Sequence, residues 1–200
     1  MEKGGLAAQL AVIQAQYPAH TVALWTEDEH RLGLLPVVRR VWALRGQRPG
    51  APVARRYQWS YVYGCVRPDM GQSWWGLLPT VSLAAMTVAL AAFARDEGID
   101  AAHPVALVVD NAGWHRSPRL TLPPGVHLLF LPPYSPELQP AERLWSLVDE
   151  VVANRVFADI DELEDALAVR CQTLEAQPDR LRVHTLFHWW PVQPHLAFAK

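Results

Sequence analysis

The stretch that decides the fold is GVHLLFLPPYSPELQPAERLW, residues 125–145. Its first seven residues are mostly apolar and stop at a Pro-Pro pair, which is typical of a short buried β-strand. A proline-rich turn follows, and we predict a helix over about residues 141–154. Glu142 then lies in the first turn of that helix, where an acidic side chain interacts favourably with the helix dipole.

Outward from this stretch, further strands and helices are predicted on both sides. Strands are expected at residues 21–26, 32–35, 57–66 and 104–109, and helices at residues 4–16, 79–95 and 161–174. Residues 36–56 are rich in Pro, Gly and Arg and are predicted to form a long loop or irregular hairpin. The tail after about residue 176 stays unassigned. This order predicts an α/β fold with a mixed five-stranded sheet flanked by helices.

The composition is that of one globular domain. Half of the 200 residues are hydrophobic, enough for a single well-packed core. Cys65 and Cys171 form no CxxC pair, which indicates a reducing compartment and neither a disulfide framework nor a zinc site. The chain has no signal-peptide pattern, and its longest apolar stretch, residues 81–94, is too short to span a bilayer. We therefore expect a cytoplasmic protein without membrane contact.

The distribution of charge is more informative than the net charge of −2. Residues 30–68 contain eight arginines and no acidic residue, so one face would carry a positive field suited to phosphates. The alternative is a solvated arginine-rich loop. No Walker A, GxGxxG or HExxH pattern is present, so nucleotide-driven and zinc-protease chemistry lack support.

Three acidic residues stand where they can meet. Asp28 follows the first predicted strand, Asp110 follows the fourth, and Glu142 opens the helix after the fifth. Because active sites of open α/β sheets collect at the carboxyl ends of strands, the three carboxylates would converge if the first and fourth strands are adjacent and parallel. Such oxygen ligands hold hard divalent cations, which promote phosphodiester chemistry. The alternative is structural, since Asp often forms turns and Glu often opens helices.

Five segments resemble motifs of the IS630/Tc1/mariner transposase superfamily. WTEDEHRLGL at 25–34 resembles the first-aspartate motif, and RRVWALRGQRP at 39–49 resembles the segment after it. VVDNAGWHRS at 108–117 resembles the second-aspartate motif, and LFLPPYSPELQPAERLW at 129–145 resembles the most diagnostic block of the family. VANRVFADIDELEDAL at 152–167 is similar to the family's closing helix. The likeness covers about residues 20–175, which we take as the core of a single catalytic domain spanning residues 1–200.

The resemblance implies an RNase H-like fold and a DDE triad of Asp28, Asp110 and Glu142, which would bind metal and carry catalysis. Asp28 is preferred over Glu27 and Glu29 because the residues after it keep the family's register, although either neighbour is a candidate for sharing its role. The implied cofactors are two Mg²⁺ or Mn²⁺ ions. The implied reaction is DNA cleavage at the ends of an insertion sequence, followed by strand transfer.

Further residues match the motifs around the triad. Asn111 and His115 belong to the second motif and are expected to orient Asp110 or to touch DNA. The basic segment adds four candidates of the same kind: Arg39, Arg40, Arg45 and Arg48. The implied partners are transposon-end and target DNA and a second copy of the chain in a homodimer on DNA, so that the bound protein would associate with the nucleoid.

The chain departs from the family pattern in two ways. Gln139-Pro140 replaces the commoner Asn-Pro before the glutamate, which keeps the amide and lengthens its reach. Relatives carry helix-turn-helix domains before the catalytic domain, whereas the segment before the first predicted strand is too short for one. We therefore expect the N-terminal DNA-binding domains to be absent and a separately encoded helix-turn-helix subunit to be a candidate partner, with poor sequence specificity for the chain alone.

Two other functions stay open from the sequence. One is an inactive or truncated transposase remnant that only binds DNA or a partner, which the missing domains favour and the intact triad argues against. The other is a stand-alone RNase H-like nuclease for RNA–DNA hybrids, which the LPPYSP block and the arginine-rich loop fit less well.

Overall fold

The computed structural model describes residues 4–47, 50, 56–133 and 135–191. The elements are α1 Gly4–Gln14, β1 Ala23–Gly33, β2 Trp59–Arg67, β3 Gln72–Leu78, α2 Leu83–Asp96, β4 Val105–Val109, β5 Val126–Phe130, α3 Glu142–Val148, α4 Ile160–Glu175 and α5 Pro178–Thr185. The described residues of the predicted loop at 36–56 form no regular element, as expected. α5 lies in the segment that sequence patterning leaves unassigned.

The five strands form one sheet in the order β3-β2-β1-β4-β5. β1, β2 and β3 pair antiparallel, whereas β4 is parallel to β1 and β5 is parallel to β4. The prediction of an α/β fold with a mixed five-stranded sheet flanked by helices is confirmed. The strands that carry Asp28 and precede Asp110 are also neighbours and parallel, as convergence of the two carboxylates requires.

β1 runs without a break through the acidic segment at 27–29, so the predicted division into strands at 21–26 and 32–35 is wrong. β1 pairs with β4 only over residues 23–26, but its pairing with β2 continues over residues 26–33. The acidic backbone is therefore held on one side by β2, and successive acidic side chains point to opposite faces of the sheet.

Sequence patterning misses β3, which forms a hairpin with β2. The turn between the two strands places Gly71 at φ +69°, a conformation that favours glycine. The Pro, Asp and Gly residues around this turn are typical of loops and conceal the strand that follows. Five strands are still the right number, because the two strands predicted in the first segment are one.

The predicted helices are present and differ at their ends. α2 begins at Leu83 because the Ser82 hydroxyl accepts a hydrogen bond of 3.1 Å from the Ala85 backbone N–H. α3 ends at Val148, earlier than predicted, and the chain turns away at Asn154, whose φ is +58°. These boundaries matter because α3 begins at a residue of the candidate site.

Helices cover both faces of the sheet. On one face α2 packs over a core that includes Trp25, Tyr63 and Phe93. On the other face α1, α3, α4 and α5 contribute to two clusters built around residues such as Leu24, Leu144 and Leu163. Each fully buried side chain of this size contributes about 1.5–3 kcal/mol, so the sheet is held firmly between two helical layers. Within the described ranges, no helix combines the length and apolarity needed to cross a membrane.

Candidate active site at the carboxyl edge of the sheet

Asp28, Asp110 and Glu142 line one cavity of about 410 Å³ at the carboxyl edge of β4 and β5. The remaining lining residues come from the loop after β4 and the turn before α3: Asn111, Ala112, Leu131, Pro132, Pro133, Ser135 and Gln139. The structure therefore brings together the three carboxylates that the sequence singled out. They arrive from a strand interior, a strand end and a helix start.

Asp28 is fixed from α3. The indole Nε1 of Trp145 donates a hydrogen bond of 2.7 Å to Asp28 Oδ2. Gly64 lies directly opposite Asp28 on β2, and a Cβ built on Gly64 would stand only 2.9 Å from Trp145 Cη2. Glycine at this position therefore lets the indole ring approach β2 closely enough to reach the aspartate. His30 stacks on the same ring with centroids 4.9 Å apart.

The surroundings of the Asp28 carboxyl disfavour its ionised form. Burial raises its pKa well above the usual range, the hydrogen bond from Trp145 opposes this rise, and the nearby Glu142, Glu27 and Glu29 charges add to it. A positive charge in the cavity would favour the ionised form. The electrostatics therefore suit a cation site.

Asp110 is held in the opposite electrostatic state. His115 Nδ1 lies 2.7 Å from Asp110 Oδ1, and this hydrogen bond is the main reason that the pKa of Asp110 lies below its usual value. A second bond reaches the same oxygen from the Ala112 backbone N–H at 2.8 Å. Burial acts to lower the pKa of His115, but the hydrogen bond to Asp110 and the facing carboxylates of Glu27 and Glu29 outweigh it and raise that pKa to about 12. His115 thus orients Asp110 and keeps it ionised.

Gln139 connects the start of α3 to β1. Its side-chain amide donates a hydrogen bond of 2.9 Å to the Glu27 carbonyl, and its oxygen accepts one from the Thr26 hydroxyl. Gln139 is buried, and both contacts are to the two residues that precede Asp28 on β1. The longer reach of glutamine, noted in the sequence, is what spans from this turn to the strand. Glu142 follows three residues later and remains exposed at the cavity.

Asn111 points away from Asp110 toward the end of β5. Its Nδ2 donates to the Leu131 carbonyl at 2.5 Å, and its Oδ1 accepts a bond of 2.6 Å from Arg116 Nε. Asn111 therefore fixes the two strand ends that frame the cavity. Arg116 also stacks on Phe130 at 4.4 Å, which places a guanidinium beside Asn111 of the cavity lining.

The predicted arginines differ in their surroundings. Arg39 donates to the Ser146 carbonyl at 2.9 Å and to Asp149 Oδ2 at 3.2 Å, so its guanidinium anchors the loop to the end of α3. Arg40 and Arg45 are exposed. Arg48 lies outside the described residues.

Glu27 and Glu29 do not line the cavity. Because side chains alternate along β1, these two acids point to the α2 face, whereas Asp28 points to the face covered by α3. There they meet His115, whose Nε2 lies 3.4 Å from Glu27 Oε2 and 3.5 Å from Glu29 Oε1. Of the three neighbouring acids, Asp28 is the one placed with Asp110 and Glu142.

Sequence reasoning missed Trp145 and Gly64, which together set the position of Asp28. Trp145 stands three residues after Glu142, a spacing that puts both on one face of a helix, so this signal was available. Gly64 carries no such signal, because its role depends on the ring that packs against it.

The donor set fits a hard divalent cation. The three carboxylates offer only oxygen ligands, and the described lining adds amide and backbone groups but no thiol or imidazole. Such a set suits Mg²⁺ or Mn²⁺ better than a soft metal.

Comparison with known proteins agrees with the fold and the site. Residues 23–164 match the family of DDE superfamily endonucleases, and the chain belongs to that family. An uncharacterized protein of Sinorhizobium fredii (strain NBRC 101917 / NGR234), y4pE/y4sA, is 37% identical over 132 residues, which are 66% of this chain and 96% of that protein.

Solved structures share the fold at low identity. The Mos1 strand transfer complex aligns with a TM-score of 0.55 and 17% identity over 92% of this chain and 61% of that one. The Mos1 mariner paired end complex with Mn aligns with a TM-score of 0.52 and 16% identity over 90% of this chain and 62% of that one. A simian T-cell lymphotropic virus intasome aligns with a TM-score of 0.53 and 11% identity over 90% of this chain and 60% of that one. The fold is thus the RNase H-like one of transposase and integrase catalytic cores, and the chain spans about three fifths of these proteins.

Proposed function

We propose that this chain is the catalytic domain of an IS630/Tc1/mariner-type transposase, which cleaves DNA at the ends of an insertion sequence and joins the freed end to target DNA. The observation that carries the proposal is the meeting of Asp28, Asp110 and Glu142 in one cavity at the carboxyl edge of the sheet. Membership of the DDE endonuclease family supports the same reaction class.

In this proposal the three carboxylates hold two Mg²⁺ or Mn²⁺ ions, which when bound lower the pKa of an attacking hydroxyl and offset the charge of the leaving oxygen. Trp145 keeps Asp28 turned into the cavity, and His115 keeps Asp110 ionised. Gln139 holds the start of α3 against β1, so that Glu142 faces both aspartates.

Two in-line displacements complete the proposed reaction. In cleavage, a water oxygen bonds to phosphorus as the bond to the DNA 3′-oxygen breaks, which leaves a 3′-hydroxyl. In strand transfer, that 3′-hydroxyl bonds to a target phosphorus and another 3′-oxygen leaves. The number of phosphodiester bonds is conserved in the second step, so no energy source is needed.

DNA is the proposed partner, as transposon ends and as target. Exposed Arg40, Arg45 and Arg116 supply positive charge for backbone phosphates. These contacts carry no base specificity. End recognition is therefore assigned to a helix-turn-helix domain or subunit and to pairing of two copies on DNA.

The test is cleavage of DNA that carries the element's own ends, with Mg²⁺ or Mn²⁺, alone and with a supplied helix-turn-helix partner. Wild type should cut at the ends, and Asp110→Asn and Glu142→Gln should each abolish cutting. Asp165→Asn, which removes an exposed acid of α4, should leave it unchanged. Absence of cutting under every condition would favour the inactive remnant, and cutting of RNA–DNA hybrids alone would favour the nuclease.

A further inference from the structure

Behind Asp110, on the face covered by α2, a second group of ligand-type side chains is buried. It consists of Glu27 and Glu29 from β1 and His115 from the loop after β4, and one donor atom from each lies within 4.8 Å of the others. Glu27 is 2% exposed, His115 is 3% exposed, and the Glu29 side chain is 6% exposed. The two glutamates point to the face of the sheet opposite Asp28, and His115 contacts the cavity residue Asp110.

The polar atoms at the centre of this group face one another at ion-pair distance without forming hydrogen bonds. Within the described part of the chain, Glu27 Oε1, Glu27 Oε2 and His115 Nε2 make no hydrogen bond, although each is fully buried. The separations of 3.4 and 3.5 Å between His115 Nε2 and the two glutamates are longer than the roughly 2.7–2.9 Å of a charge-assisted hydrogen bond. A proton on Nε2 therefore does not satisfy either glutamate.

The same separations match ligands that share one ion. Nitrogen and carboxylate ligands lie about 2.1 Å from Zn²⁺, and two ligands of a tetrahedral ion at that distance are about 3.4 Å apart. The distances from Nε2 to both glutamates have this value within about 0.1 Å. One imidazole with two carboxylates is also a donor set that first-row transition ions accept.

The outer contacts of the group resemble those that orient metal ligands. A metal-bound histidine usually donates its other ring N–H to a carboxylate, and His115 Nδ1 lies 2.7 Å from Asp110 Oδ1. Glu29 Oε1 is itself fixed by a hydrogen bond of 2.8 Å from Trp114 Nε1. Both contacts leave His115 Nε2 and the Glu27 carboxylate aimed at the common centre.

We propose that Glu27, Glu29 and His115 bind one transition-metal ion of the Zn²⁺ type, on the opposite side of Asp110 from the candidate active site. The ion replaces the proton on His115 Nε2, and that proton is released to solvent. The Nδ1–H of His115 remains hydrogen-bonded to Asp110. Its role is to lock the loop that carries His115 against β1. The spacing of the cysteines argues only against a zinc site with cysteine ligands, whereas the ligands proposed here are glutamate and histidine. The proposal does not depend on transposase activity.

The full chain is unfolded in urea with EDTA to remove bound metal, and is then refolded with excess Zn²⁺. Gel filtration removes the unbound ion, and elemental analysis measures the zinc that each chain retains. Wild type should retain one zinc per chain. Asp28→Asn/Glu142→Gln, which disables the cavity on the other face, should also retain one. Glu27→Gln and His115→Asn should lose it, and asparagine can still donate toward Asp110 in place of Nδ1.

Folding of each variant is checked by circular dichroism, and Zn²⁺ should raise the Tm of wild type and of the cavity variant but not of the other two. Wild type without zinc overturns the proposal whatever the variants do. Zinc that is lost from Asp28→Asn/Glu142→Gln but kept by Glu27→Gln also overturns it, because the ion would then occupy the cavity. With Co²⁺ as probe, a visible absorption spectrum of tetrahedral type should be present in wild type and absent in His115→Asn.

Discussion

Trp145 holds Asp28 through an indole hydrogen bond of 2.7 Å from one helical turn beyond Glu142. α3 therefore carries one acid of the candidate triad and positions a second. Any shift of this helix moves both carboxylates together. This coupling leads to predictions that separate the geometry of the site from the stability of the fold.

Trp145→Phe should lower DNA cleavage about tenfold with little loss of stability, because it removes one hydrogen bond to a carboxylate and keeps an aromatic ring on Gly64. Single-turnover cleavage rates measure the effect. Trp74→Phe is the matched control, since Trp74 loses an indole bond of 3.0 Å to the Asp96 carboxylate on the α2 face of the sheet. Equal rates for Trp145→Phe and wild type would show that this bond does not position Asp28 for reaction.

Gly64→Ala should lower the free energy of unfolding by about 1–3 kcal/mol, since its Cβ would meet Trp145 at 2.9 Å and Leu144 at 3.2 Å. The cleavage rate should fall by more than the loss of folded protein explains, because α3 must move to relieve the contact. Urea denaturation gives the first quantity and cleavage rate the second. Gly5→Ala, with nothing within 4 Å of its Cβ, is the control and should not destabilise the protein.

Gln139→Met should cost about 1–3 kcal/mol of stability, because the Glu27 carbonyl loses its buried donor while the side-chain volume is kept. Cleavage should also fall, since the turn before Glu142 is no longer tied to β1. Gln172→Met, at an exposed position of α4, controls for the substitution itself. A variant with full stability and full activity would contradict the role assigned to Gln139.

The contribution of the Asp28 carboxyl to the stability of the metal-free protein should fall as pH rises above the ordinary pKa of an aspartate. Burial raises the pKa of Asp28 in the folded state, so between its unfolded and folded pKa values the folded chain binds more protons than the unfolded chain. This contribution is full below the unfolded value and is lost through the folded one. Asp28→Asn should flatten this part of the profile, measured by urea denaturation in EDTA.

Asp165→Asn, an exposed change of the same charge, should leave that profile unchanged. Added Mg²⁺ should flatten the wild-type profile and have less effect on Asp28→Asn, because a cation favours the ionised carboxylate. A Mg²⁺ effect of the same size on both proteins would place the ion elsewhere.

Local signals in the chain were enough for much of the fold. Apolar runs at β4 and β5 end at Asp110 and at the Pro-Pro pair, and those endings mark the carboxyl end of each strand. The start of α3 at Glu142 also follows from the sequence, because proline and an acidic residue favour a helix N-terminus.

Tertiary structure decided the features that depend on a neighbouring strand or helix. Residues 27–29 stay in β1 because β2 pairs with their backbone, which no local pattern of acids reveals. That pairing then sends Asp28 to the cavity and Glu27 and Glu29 to the opposite face. The sequence by itself determined which acids were candidates and what chemistry they suit. The resemblance favoured Asp28 among three adjacent acids, and the tertiary structure supplied the physical reason, since alternation along a paired strand sends Asp28 to the face of Asp110 and Glu142.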